Sequence, residues 1–147
     1  MTRYTLINAF TVAKEGLELS PNNKTPMYAE AIELYSSLIA LLKTGLEFTE
    51  ANYCVQIIKA FLEAGYSIKI HDGEEWALTA SKNLELICES LNSTGDDQII
   101  IMNGNQCIGW LSFIYDNGGP EYLVSDYSAN TAIESILNPI YERHFSE

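Results

Sequence analysis

The period of the hydrophobic pattern changes near residue 65, and this change constrains the fold more than any other feature of the chain. Before it, apolar residues recur every three or four positions, as on one face of an α-helix. After it, short segments alternate between apolar and polar residues, as in half-buried β-strands. The pattern predicts an α+β fold in which N-terminal helices precede a ββαβββα unit, with an antiparallel sheet covered by helices on one face.

Three helices are predicted in the first 65 residues. The first covers about Thr5 to Leu17. The second has Thr25 as its N-cap, starts at Pro26 and ends near Lys43, just before Gly45. The third has Thr49 as its N-cap and ends at Gly65. Because the connection between the second and third helices is short, we expect them to form an antiparallel hairpin.

The segment after residue 65 is predicted to hold five strands and two helices. Strands Ser67–His71 and Glu74–Leu78 flank Asp72-Gly73, a typical two-residue hairpin turn. A helix is then predicted from Ser81 to Leu91, followed by a meander of strands Gln98–Met102, Cys107–Tyr115 and Tyr122–Asp126. The last helix is predicted to begin near Ser128 or Asn130, with Asp126 or Ser128 as its cap. We expect this helix to kink or restart at Asn138-Pro139.

The length of 147 residues predicts a single domain, residues 1–147, with one continuous core. The longest apolar run, Leu38 to Leu42, is far too short to cross a bilayer, and the N-terminal residues lack the apolar region of a secretory signal. We therefore expect a soluble cytoplasmic protein. Cys54, Cys88 and Cys107 form no C-x-x-C pair, which favours three reduced and buried thiols.

Negative charge is concentrated in the second half of the chain. Residues 1–72 hold six basic and eight acidic side chains, whereas residues 73–147 hold two basic and twelve acidic ones. A field of this sign repels phosphates and anionic lipid headgroups, so direct binding to nucleic acid or to a membrane is not expected. The expected partner is a basic protein surface.

The densest group of catalytic-type residues is His71-Asp72-Gly73-Glu74-Glu75-Trp76, which offers an imidazole and carboxylates to a metal or to acid-base chemistry. Its spacing matches no known ligand pattern, and His71 and Glu74 can instead pair across the strands. The segment from Asp116 to Glu121 lacks the ligand spacing of a calcium loop and is interpreted as a turn. The chain contains no glycine-rich phosphate-binding signature, and no cofactor or metal is predicted.

The predicted topology places several loops at one end of the sheet. If the strands alternate in direction, the first hairpin turn, the loop before the third strand and the loop after the fourth strand all reach that end. Their carboxylates would form an acidic rim, and these are the predicted binding residues. They are Asp72, Glu74, Glu75, Asp96, Asp97, Asp116 and Glu121.

Roughly residues 66–140 resemble uncharacterised small proteins encoded by phages and prophages. The resemblance is in the order and spacing of short motifs, and the first 65 residues lie outside it. The motifs here are Asp72-Gly73-Glu74-Glu75-Trp76, Asp96-Asp97, Gly109-Trp110, Asn117-Gly118-Gly119 and Ser125-Asp126-Tyr127. No established activity comes with the resemblance, and it implies an accessory protein that binds a host protein.

Two hypotheses follow for the function. The first is a non-enzymatic binding protein, an inhibitor of a host defence or nucleic-acid-handling complex whose basic groove accepts an acidic surface in place of DNA. The second is a small enzyme or small-molecule binder that uses the turn from His71 to Glu75. The second hypothesis requires a concave pocket on which His71 and two carboxylates converge.

Overall fold

The computed structural model describes residues 2–145, which form five α-helices, one 3₁₀-helix and a five-stranded antiparallel sheet. The N-terminal helices are α1 (Arg3–Glu18), α2 (Pro26–Lys43) and α3 (Phe48–Glu63). The remaining elements are β1 (Ser67–His71), β2 (Trp76–Ser81), α4 (Leu84–Glu89), β3 (Asp96–Asn103), β4 (Gln106–Ile114), the 3₁₀-helix (Pro120–Tyr122), β5 (Val124–Tyr127) and α5 (Thr131–Phe145). The predicted α+β class and the order of elements are confirmed.

The strands lie in the order β2-β1-β3-β4-β5, and every neighbouring pair is antiparallel. Strand β1 pairs with β2 on one side and with β3 on the other, so that Ile70 lies opposite Ile99. Ile99 in turn lies opposite Leu111 of β4. The predicted hairpin and the predicted meander therefore form one continuous sheet.

One face of the sheet is buried and the other is open. Ile70, Ile99 and Leu111 are fully buried, whereas their sequence neighbours Lys69 and Gln98 are not. This alternation is the period of two that a strand imposes when a single face is covered. Helices α3 and α5 contact the sheet, and their apolar residues join its buried face in one hydrophobic cluster.

The contact between α2 and α3 is largely as predicted. Leu38 of α2 and Ile57 and Phe61 of α3 are buried in the common core. Tyr35, which was also expected in this core, is only half-buried. Its ring lies 5.5 Å from the ring of Phe10, so it packs under α1 at the margin of the core.

The N-termini of three helices differ from the prediction, and at two of them an asparagine side chain supplies the cap. Helix α3 is preceded by Glu47, not Thr49. Helix α4 starts only at Leu84, since the Asn83 side chain accepts a hydrogen bond from the amide of Leu86. Helix α5 begins after Asn130, whose side chain accepts a hydrogen bond from the amide of Ile133. Asn is among the best N-cap residues, so it replaces the expected caps.

The last helix was predicted to kink or restart at Asn138-Pro139, and the restart is wrong, because α5 continues through Pro139 to Phe145. A proline inside a helix removes one backbone hydrogen bond and crowds the preceding turn. Leu137 and Ile140 on either side are both buried. The packing of both halves on the core therefore holds the helix together across the proline.

One expectation about the cysteines is corrected. Cys107 lies in β4 but is exposed, whereas Cys54 and Cys88 are buried as predicted. All three are free thiols. Within residues 2–145, no helix is both long enough and apolar enough to cross a membrane.

Candidate binding surface at the acidic end of the sheet

The turn between β1 and β2 is built around the carboxylate of Asp72. Its Oδ1 accepts hydrogen bonds from the backbone amides of Glu74 and Glu75, both at 2.9 Å. The Asp72 amide donates back to the carbonyl of Glu75, also at 2.9 Å. The amides of Glu75 and then Glu74 hold the pKa of Asp72 below its ordinary value.

This arrangement corrects the two-residue turn expected from Asp72-Gly73. His71 lies opposite Trp76, so four residues, 72–75, connect the strands. Glu74 and Glu75 therefore belong to the turn and are exposed to solvent. The reason is that the Asp72 side chain closes a local turn with the two following amides, which stops the ladder from continuing.

His71 does not pair with Glu74. Its ring makes an edge contact with the ring of Trp76, with centroids 5.0 Å apart, and its Nδ1 accepts a hydrogen bond from the amide of Gly73. Lys69 places its Nζ 4.4 Å from the centre of the same Trp76 ring. These contacts give His71 a structural role in the hairpin.

In this turn, Oδ1 of Asp72 accepts the two backbone amides, whereas the carboxylates of Glu74 and Glu75 accept no hydrogen bond from the described residues. The nearest cavity, of about 240 Å³, is lined by Gly73, Asp96 and Gln98 among others, but not by His71. Among residues 2–145, no three His, Cys, Asp or Glu side chains converge as a metal site.

The loop before β3 lies against this turn. The hydroxyl of Thr94 donates a 2.8 Å hydrogen bond to the carbonyl of Asp72. A Cβ added at Gly73 would lie 3.8 Å from Oδ1 of Asp96. The exposed Asp96 is therefore next to the turn that presents Glu74 and Glu75.

The loop after β4 joins the same end of the sheet. The amide of Tyr115 donates to the carbonyl of Gly95 at 3.0 Å, which ties this loop to the one before β3. The next residue, Asp116, is exposed, and its amide donates to the buried carboxylate of Glu50 at 2.9 Å. Burial raises the pKa of Glu50. Nothing in the sequence indicated a role for Glu50, because its contact with Asp116 joins residues that are 66 positions apart.

Asp97 does not belong to an exposed rim. It is only 3% exposed, and its Oδ2 accepts hydrogen bonds from the Tyr115 hydroxyl at 2.7 Å and from the Asn92 amide at 2.9 Å. Burial raises its pKa above the ordinary value. The predicted strand began at Gln98 and left both acids in the loop, whereas β3 begins at Asp96, and its alternation places Asp97 on the buried face with Ile99.

Glu121 is exposed but has different surroundings from the other predicted acids. It lies in the 3₁₀-helix and lines a cavity between α3, β5 and α5, together with Tyr53, Tyr127 and Tyr141. Nothing in their sequence spacing indicated that they meet.

Four of the seven predicted residues thus form an exposed group on three adjoining loops, which we call the acidic end. It consists of Glu74, Glu75, Asp96 and Asp116. Among residues 2–145, the ion pairs join Lys59 with Glu30 and Glu63. The carboxylates of the acidic end are therefore not neutralised within the described part of the protein.

Comparison with known proteins gives no relative for this chain. It matches no protein-family model, no curated protein and no solved structure.

Proposed function

We propose that this protein is a non-enzymatic binding protein that docks onto a basic surface of a partner protein through its acidic end. The observation that carries the proposal is the meeting of the hairpin turn, the start of β3 and the loop after β4, which expose Glu74, Glu75, Asp96 and Asp116 without an ion-pair partner among the described residues. Clustered unpaired charges of one sign accelerate association with a surface of the opposite sign.

The hairpin turn supports this use because it is held by its own hydrogen bonds. The Asp72 carboxylate fixes the backbone of Glu74 and Glu75, and Thr94 ties the turn to the next loop. Their carboxylates are therefore presented from an ordered backbone. Binding to these carboxylates costs less conformational entropy than binding to carboxylates on a flexible loop, because such a loop would have to become ordered first.

The finer form of the proposal concerns the partner. The resemblance of residues 66–140 to phage and prophage proteins favours a host protein, and the negative field favours one whose basic groove normally holds nucleic acid. In that form the protein is a cytoplasmic inhibitor of a defence or nucleic-acid-handling complex. The turn from His71 to Glu75 as the centre of a small enzyme is the weaker candidate, since its one constrained carboxylate is already occupied by the backbone.

The test compares three tagged proteins as baits in lysate of the host cell, with captured proteins identified by mass spectrometry. They are the wild type, the variant Glu74→Lys/Glu75→Lys/Asp96→Lys, and the control variant Glu15→Lys/Glu18→Lys/Glu89→Lys. The control makes the same change in net charge at exposed residues near the ends of α1 and α4, where lysine suits the helix dipole.

We expect the wild type and the control to capture the same basic protein and the first variant to lose it. Association measured with the purified partner should slow as salt rises, since exposed charges are screened over about 8 Å at physiological ionic strength. If the first variant folds and binds the partner at the wild-type rate, the acidic end is only a solvated edge and the proposal is wrong. Asp97 is kept unchanged because it is buried.

A further inference from the structure

A cavity between α3, β5 and α5 lies away from the acidic end and is lined in part by tyrosines. Its volume is about 280 Å³, near the lower end of the range of volumes that ligand sites in proteins have. Tyr53, which is 1% exposed, lies at its floor, and Tyr141, which is 47% exposed, lies at its mouth. Tyr127 completes the group of three aromatic rings.

The polar groups of this cavity are free to bind a ligand. Within residues 2–145, the hydroxyls of the three tyrosines, the Glu121 carboxylate and the Asn138 side-chain amide make no hydrogen bond with the protein. The residues that line the cavity include no lysine, arginine or histidine. The site therefore combines aromatic surface, a carboxylate and unfilled hydrogen-bonding capacity, without a positive charge of its own.

The backbone before Glu121 has a conformation that favours glycine. Gly119 has φ +143, and the carboxylate of Glu121 lies beside it, 2.7 Å from the position that an added Cβ would take. Pro120 then opens the 3₁₀-helix that carries Glu121. A residue with a side chain at position 119 would be strained in this backbone conformation.

We propose that this cavity binds an organic ammonium group, of the kind present in choline or in a methylated lysine side chain. Ammonium ions are attracted to the faces of aromatic rings, and several rings around one cation are a known way to recognise quaternary ammonium. The Glu121 carboxylate at the mouth adds an opposite charge. A neutral apolar ligand would gain the aromatic contacts but not this attraction.

This site goes beyond the proposed docking surface and does not rest on it. Its residues, apart from Glu121, were not among those predicted to bind a partner, and Glu121 is outside the acidic end. The test uses small ligands and no partner protein. Failure of either proposal therefore leaves the other unaffected.

The experiment follows amide signals of the full-length protein by NMR as ligand is added at constant ionic strength. Choline is compared with 3,3-dimethylbutan-1-ol, its neutral counterpart of nearly equal shape. We expect choline to give saturable shifts around Asn138 and Tyr127, and the neutral alcohol to bind about tenfold more weakly. Equal affinity for the two ligands, or no saturable shift at millimolar choline, would overturn the proposal.

Variants with matched controls locate the binding. Glu121→Gln should weaken choline about five- to tenfold, whereas Glu142→Gln on α5 should not change it. Tyr141→Ala should weaken it by a similar factor, whereas Tyr141→Phe should retain most of the affinity because the ring remains. Tyr122→Ala is the control for loss of an exposed aromatic ring next to the site.

The substitutions at Glu121 and Tyr141 involve exposed side chains, so the variants should fold, and their thermal unfolding checks this. The source of the ammonium group is decided by a second titration with N-acetyl-trimethyllysine amide. Tighter binding of this compound than of choline assigns the site to a modified protein side chain. Tighter binding of choline assigns it to a free metabolite or a headgroup. If the Glu121 and Tyr141 variants bind choline like the wild type, the site is not this cavity.

Discussion

The hydroxyl of Tyr115 donates a 2.7 Å hydrogen bond to the carboxylate of Asp97 inside the protein. Both residues are buried, and the other oxygen of the carboxylate, Oδ1, has no hydrogen-bond partner among the described residues. A carboxylate in this position is half satisfied, so its protonation state should be coupled to the stability of the fold.

The first prediction concerns this coupling. Burial raises the pKa of Asp97 above its ordinary value of 3.8, so the folded protein keeps a proton that the unfolded chain releases. This contribution to stability is fully present below the unfolded pKa and is lost as pH rises through the folded one. Asp97→Asn cannot titrate. Its free energy of unfolding relative to that of the wild type should therefore rise with pH, measured by urea unfolding between about pH 4 and 7.

The comparison of the two proteins isolates Asp97, because the buried Glu50 titrates in both. If the difference in free energy of unfolding between wild type and Asp97→Asn stays constant over this range, Asp97 is not the titrating group.

The second prediction removes the donor. Tyr115→Phe leaves the Asp97 carboxylate with only the Asn92 amide as a partner. Losing a hydrogen bond to a buried charged group should cost about 1.5–3 kcal/mol in the free energy of unfolding at neutral pH. In the background of Asp97→Asn the cost should be smaller, because the acceptor is neutral. An equal cost in both backgrounds would contradict the importance of the charge.

The third prediction concerns the turn that carries Glu74 and Glu75. Asp72→Ala removes the acceptor of two backbone amides and should lower the thermal midpoint, whereas Asp72→Asn keeps an acceptor and should lower it less. Since the pKa of Asp72 is lowered, its contribution is present above pH 3.8 and is lost as pH falls through the folded pKa. Glu74→Ala serves as the control and should leave the midpoint unchanged.

The fourth prediction concerns the packing of α3. Phe61 is completely buried, and Phe61→Ala should reduce the free energy of unfolding by about 3–5 kcal/mol. Tyr4→Ala on α1 removes a ring that is 73% exposed and should have little effect. A loss below roughly 1 kcal/mol for Phe61→Ala in denaturant unfolding would show that the site refills with little cost.

The fifth prediction concerns thiol reactivity. Cys54 and Cys88 are buried, and burial raises the pKa of the Cys88 thiol to about 12 and that of the Cys54 thiol well above its ordinary value. Cys107 is exposed. Iodoacetamide should therefore add one group to the folded protein, at Cys107, and three groups after unfolding without reductant. Mass spectrometry counts the adducts, and rapid modification of Cys54 in the folded state would contradict the structure.

The sequence alone was sufficient for the class of fold and for most elements, because helices and strands depend on the local period of apolar residues. The bounds Pro26–Lys43 of α2 were predicted from a capping threonine, a proline and a terminal glycine, all of which act locally. The predicted helix ends were wrong where two local signals competed. Asn83, for example, caps α4 while Ser81 remains in β2, so that helix is much shorter than its apolar pattern suggested.

The candidate sites needed the tertiary structure. The sequence placed Asp96 and Asp97 together, but only the sheet decides that one is exposed and the other is buried under Tyr115. The sequence also did not explain why residue 109 is a glycine. In the structure, a Cβ added there would lie 2.5 Å from the Ser128 hydroxyl oxygen and 2.6 Å from Cγ1 of Ile133. The sequence likewise did not indicate that Tyr53, Glu121 and Tyr141 line one cavity. Local propensity fixes where elements form, whereas the pairing of distant segments fixes which side chains become neighbours, and that pairing has no local signature.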